Sequence, residues 1–239
     1  MECHDGLIRR GLKSKMMEDM LSPMDAFLTP EQKALRKDVR DHFREVAPAD
    51  SESTPAGPAA LTAISRKLKD LGYPDLPGPG PGTGRMGLIE KALIIEEVSA
   101  ASPELGRAIF AAGGGPAGRL AREDSVAEVA RDIGTAAAVL KSCLEAARDQ
   151  GLFESTLMDH QKAQMDLADA LSGLEAVRLQ AYRALRLLDR GDGERGDEEL
   201  RRVAGRVRET LGEARALASA LAGGRGRTDK IPGQERNGP

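Results

Sequence analysis

The residues best suited to chemistry gather in the stretch FESTLMDHQ, residues 153–161. Phe153, Leu157, His160 and Gln161 stand at the start of a long helical pattern, in a chain with only four Phe and three His. On residue types alone, His160 and Gln161 are expected to cap or brace the hairpin between two helices.

Other patterns are weaker. Gly82-Thr83-Gly84-Arg85-Met86-Gly87 spells G-x-G-x-x-G, the turn that admits a pyrophosphate in dinucleotide-binding folds. That use requires a buried strand immediately upstream, and LKDLGYPDLPGPGP is no strand, so a helix-to-helix connector is the expectation. His4 and His42 have no second ligand at metal spacing, and no metal site is expected. The acidic pair Glu96-Glu97 is expected on the solvated face of an amphipathic helix. No serine has a nucleophile-elbow context. Cys3 and Cys143 fit no metal spacing, and Cys143 is expected to be a small buried hydrophobe in a reducing compartment.

The elements that must position these residues are helices. Hydrophobic residues make up 40% of the 239, aromatics only 3%, and Ala, Leu, Arg and Glu dominate. Thr29-Pro30-Glu31-Gln32 starts a helix that carries Leu35, Val39, Phe43 and Val46 on one stripe. A further helix is expected over 58–71, and LIEKALIIEEVSAAS forms another, with Leu88, Ala92, Ile95 and Val98 inward. GGGPAG, residues 113–118, marks a boundary. Three long helices follow, over 124–149, 156–190 and 196–221, with Leu167, Leu171, Leu174 and Leu185 on the second. The fold class is therefore all-α. An N-terminal helical domain, 1–118, is expected to precede an antiparallel bundle with a mobile tail, 119–239. Three helices leave an apolar flank for a partner.

A net charge of −3 gives no basic excess for nucleic acid. The basic run LRRVAGRVRETLGEARALASALAGGRGR is expected to be a salt-bridged surface helix. No apolar run approaches the roughly 20 residues of a membrane span. No signal-peptide core precedes the helices, and a cytoplasmic location is the expectation.

The order of these pieces resembles the acyl-CoA dehydrogenase family at both ends of the chain. Over about 27–112, FLTPEQKALRKDVRDHFREVAP, LKDLGYPDL and GLIEKALIIEEVSAASPELG look like that family's N-terminal helical domain. Over about 130–236, DIGTAAAVLKSCLEAARDQGLFESTLMDHQKAQMDLADALSGLEAVRLQAYRALRLLD and LAGGRGRTDKIPGQER look like its C-terminal bundle. Between the blocks the family has a β-domain, where this chain has only GGGPAGRLAREDSVAEV. The resemblance implies a member whose two helical domains are joined directly.

It also implies that Phe153, Leu157, His160, Gln161, Gly223 and Gly224 contact FAD held mainly by a neighbouring subunit. The partner would be a full-length acyl-CoA dehydrogenase-type subunit, or a second copy of this chain, and the ligand an acyl-CoA. Three positions depart from the family pattern: Gln150 replaces an Arg, Glu154 a Gly and Ala220 a Gln. The family's Tyr-Glu-Gly segment with its catalytic carboxylate is missing before Pro239, and the alternative base position falls near Asp124. The resemblance thus implies a small subunit serving α,β-desaturation at a partner's flavin. Alternatives are a homo-oligomeric, non-redox acyl-thioester enzyme using Glu123 or Asp124, and a non-catalytic structural helical protein.

Overall fold

The computed structural model describes residues 24, 27–46, 66, 87–103, 106, 121–149, 151–152 and 155–223. Among them the fold is all-helical apart from one minimal two-stranded ladder. Of the expected helix over 58–71 only residue 66, which is helical, is described, and the connector at 82–86 and the hinge at 113–118 lie outside the described residues.

Helix α1 (Pro30–Val46) begins where Thr29 and Pro30 place it. Thr29 and Gln32 form a reciprocal cap: the Thr29 amide donates to Gln32 Oε1 at 3.1 Å and the Gln32 amide to Thr29 Oγ1 at 3.3 Å. Leu35, Val39 and Phe43, four residues apart, are almost fully buried, and α1 packs against α2 (Leu88–Ala101). Each such side chain contributes about 1.5–3 kcal/mol by leaving water.

Helix α2 differs from its expectation. A single inward stripe was anticipated, yet nine consecutive or near-consecutive positions are buried, Glu96 and Glu97 among them. The helix lies between α1 and the long helix α3 (Ala121–Asp149), so both its sides face protein. Gly134 of α3 makes that crossing close. A Cβ there would fall 2.2 Å from the Glu96 carbonyl oxygen and 2.7 Å from Ser99 Cβ.

Helices α4 (Gln161–Asp189) and α5 (Gly193–Gly223) complete an antiparallel bundle with α3. Their turn is tight. Gly191, at φ +87°, lets its own amide reach the Leu188 carbonyl and the Asp192 amide the Leu187 carbonyl, each at 3.0 Å. Leu167, Leu174 and Leu185 are buried as expected, while Leu171 is half-buried. One apolar core joins α2 to α3, α4 and α5, so α2 covers the flank that a three-helix bundle would have left open. Cys143 is buried in a second cluster with Leu144, Ala147 and Leu167, and burial raises its thiol pKa.

No helix among the described residues is long and apolar enough to cross a membrane. The basic C-terminal helix is salt-bridged as anticipated: Arg202 meets Glu198, and Arg208 reaches Glu128 of α3 at 3.0 Å.

Candidate functional site

The connection from α3 to α4 is short and specific. Strands β1 (Gly151–Leu152) and β2 (Ser155–Thr156) pair antiparallel, Gly151 opposite Thr156 and Leu152 opposite Ser155. A single 3-10 turn, Leu157–Asp159, then leads into α4 at His160, so this helix begins at Gln161 rather than at 156. The Thr156 amide and hydroxyl both donate to Asp159 Oδ2 at 2.8 Å. Gln164 Nε2 donates to the Met158 carbonyl at 2.7 Å. These three side chains brace the turn.

His160 and Gln161 do not share in that bracing. His160 occupies the N-cap position of α4 but makes no side-chain capping bond; only its backbone participates, to Leu157 and Gln164. Both side chains are exposed. Leu157 turns the other way, half-buried against the Cys143 cluster, where Leu221 of α5 also packs. Because α4 and α5 form a hairpin, the start of one and the end of the other share one end of the bundle. Leu157, His160, Gln161 and Gly223 therefore gather there. Phe153 and Gly224 lie outside the described residues.

A second constellation was not legible as a site. Glu96 and Glu97, expected on a solvated face, are 2% and 6% exposed. Arg36 Nε donates to Glu97 Oε1 at 2.7 Å, and Arg40 grips both Glu97 oxygens at 2.6 and 2.9 Å. Tyr182 donates to Glu96 Oε2 at 2.8 Å. Arg178 Nε lies 2.8 Å from Glu96 Oε1 but is not aligned to donate, and its Nη1 contacts Glu175. Three arginines and three glutamates thus tie α1, α2 and α4 together.

The electrostatics follow from burial and pairing. Burial alone would raise the pKa of Glu97, but Arg40 and Arg36 outweigh it and hold the carboxyl below its ordinary value. Burial would lower that of Arg36, and Glu96 and Glu97 reverse the sign. Burial, then the charge of Glu96, pushes the Tyr182 phenol well up. Burial raises Glu175 despite Arg178, and its Oε2 has no hydrogen-bond partner among the described residues. A carboxylate held ionised between two guanidiniums is a poor proton acceptor, so Glu97 serves to fasten helices.

Residues 125–236 match the family model for the acyl-CoA dehydrogenase C-terminal domain, just under half of the chain. That stretch is acyl-CoA dehydrogenase-like. No curated protein and no solved structure matches the chain.

The acyl-CoA dehydrogenase-like stretch takes in nearly all of α3, both later helices, and every residue expected to approach a cofactor: Phe153, Leu157, His160, Gln161, Gly223 and Gly224. It begins one residue after Asp124. Asp124 is exposed near the start of α3, beside Arg122, which pairs with Asp197. Among the described residues no group of His, Cys, Asp and Glu could hold a metal. His42 sets its ring edge-on to its neighbour Phe43, with centroids 5.4 Å apart. Gly87, the last glycine of G-x-G-x-x-G, is the extended residue preceding α2.

Proposed function

We propose that this chain is a small acyl-CoA dehydrogenase-like subunit. It has two helical segments joined without a middle domain, and pairs with a full-length flavoprotein that desaturates an acyl-CoA thioester at the α,β bond. The observation that carries the reading is the gathering of Leu157, His160, Gln161 and Gly223 at one bundle end, with His160 and Gln161 outward and unused in bracing. The match over 125–236 supports it.

The residues fit FAD in part. The imidazole and the carboxamide offer donors and acceptors, beside the first turn of α4, where His160 makes no side-chain capping bond. Asp159, and Glu154 in the sequence, put negative charge nearby, which suits the neutral hydrogen-bonding parts of the dinucleotide better than its pyrophosphate. The flavin, held mainly by the partner, supplies the hydride acceptor when bound. This chain's residues orient it; the base that removes the α-proton belongs to the partner.

The test is to isolate the complex from its own cells and combine native mass spectrometry with a visible spectrum. A heteromer carrying flavin is expected. The double substitution His160→Ala, Gln161→Ala should leave chain stability within about 0.5 kcal/mol, since both side chains are exposed. It should also loosen the partner's flavin measurably. A homo-oligomer with no flavoprotein partner refutes the subunit reading, and unchanged flavin retention refutes the placement of the site.

A further inference from the structure

A cleft of about 360 Å³ opens between the residues preceding α1 and the C-terminal half of α4. It is far from His160 and Gln161, roughly 30 Å along α4, and does not depend on the function proposed above. Its walls are Leu28, Ile89, Leu179 and the ring of Tyr182, whose hydroxyl is already engaged by Glu96. Phe27, one of two large hydrophobics left exposed among the described residues, stands over it at 51% exposure. Among the described residues the polar groups lining it are Gln180, Arg183 and Arg186, and none that lines it is acidic.

The two arginines are arranged differently. Arg186 donates to the Phe27 carbonyl, which fixes the segment forming one wall. Arg183 is exposed and has no carboxylate within salt-bridge distance among the described residues. Elsewhere on these helices arginines are commonly paired with acids, as Arg122, Arg202 and Arg208 are. An apolar cleft at the small end of the ligand-pocket range, with two guanidiniums and no acid among its described lining residues, favours one kind of molecule. Its head must be anionic, because the planar fork of arginine matches carboxylate and phosphate oxygens. Its body must be apolar and slender.

We propose that this cleft binds an anionic amphiphile with a short alkyl chain, its head against Arg183 and Arg186 and its chain against Leu28, Leu179 and Tyr182. Octanoate, octyl phosphate and octyltrimethylammonium, each titrated calorimetrically into the full chain below its micelle concentration, test the proposal. One saturable site is expected for an anion, carboxylate or phosphate, and none for the cation. Arg183→Gln, at an exposed position, should weaken binding about tenfold by removing a charge-assisted contact. Gln180→Trp should abolish it by filling the cleft while leaving both arginines. Circular dichroism checks that each variant stays folded. Absence of saturation with both anions, equal binding of the cation, or an affinity within twofold after Arg183→Gln overturns the proposal.

Discussion

Replacing Glu97 by Gln keeps the side-chain shape and removes one charge from a place where water cannot replace it. The Glu97 side chain is 7% exposed and that of Arg36 is 5%, while Arg40, at 33%, reaches solvent. Arg40 can rehydrate after the substitution, whereas Arg36 stays buried and loses its ion pair with Glu97. Removing one partner of a buried pair costs about 3–5 kcal/mol, because the remaining charge has lost its counterion and water cannot replace it. At roughly 2–4 °C per kcal/mol for a chain of this size, the melting temperature should fall by about 6–20 °C.

The assay is urea and thermal unfolding followed by far-ultraviolet circular dichroism, with Arg202→Ala as a surface control expected to cost no more than about 1 kcal/mol. A double variant, Glu97→Met with Arg36→Met, should recover most of the loss, since well-packed apolar replacements of a buried pair are often neutral or stabilising. A cost below about 1 kcal/mol for Glu97→Gln would refute the reasoning. So would a double variant as unstable as the sum of its singles, which would show no coupling between the two residues.

Two further outcomes follow from the same helices. The lowered pKa of Glu97 gives stability that is present above the ordinary glutamate range and lost as pH falls through its folded value; the raised pKa of Glu175 acts oppositely, with stability lost as pH rises from 4.5 through its folded value. Glu175→Gln should therefore gain stability relative to the parent between pH 4 and pH 7, measured by urea unfolding at each, and a difference that shrinks over that range would contradict the assignment. Gly134→Ala should cost about 1–3 kcal/mol, since its Cβ would meet the α2 backbone and force α2 and α3 apart. A melting temperature equal to the parent's would show that the crossing is not close.

Much of the scaffold is legible because its signals are local. Thr29 and Pro30 start α1 through contacts within one turn, and Gly191 ends α4 through its own positive φ. The leucines of α4 report their buried face by spacing alone, except Leu171, which lies at the edge of it. The charged cluster is not local. Glu97 meets arginines 57 and 61 residues upstream, and Glu96 meets a tyrosine 86 residues downstream. Period counting sees only the helix that carries the acids. A signal did exist: LIEKALIIEEVSAA has apolar residues on every side, and a helix apolar all round is buried with whatever charges it holds. The position of His160 and Gln161 was legible in the sequence, but their outward orientation was not. It depends on Thr156, Asp159 and Gln164 having taken over the bracing of the turn.

The burial of α2 also bears on where a partner could dock. An unaccompanied three-helix bundle would offer an apolar flank, and pairing through it would be driven by area. Here α2 occupies that flank, anchored on its other side by Arg36 and Arg40 of α1. The charged cluster thus makes α1 and α2 a cover for the bundle rather than a detachable pair, since lifting α2 away would separate buried charges as well as apolar surface. Among the described residues the exposed large hydrophobics are then Phe27, at the cleft, and Met165, at 56% exposure one turn into α4 from Gln161. An apolar anchor beside exposed hydrogen-bonding groups is the usual make-up of an interface centre and its rim. The proposed pairing would therefore use the end of the bundle carrying His160, Gln161 and Met165, since α2 covers the apolar flank of the bundle.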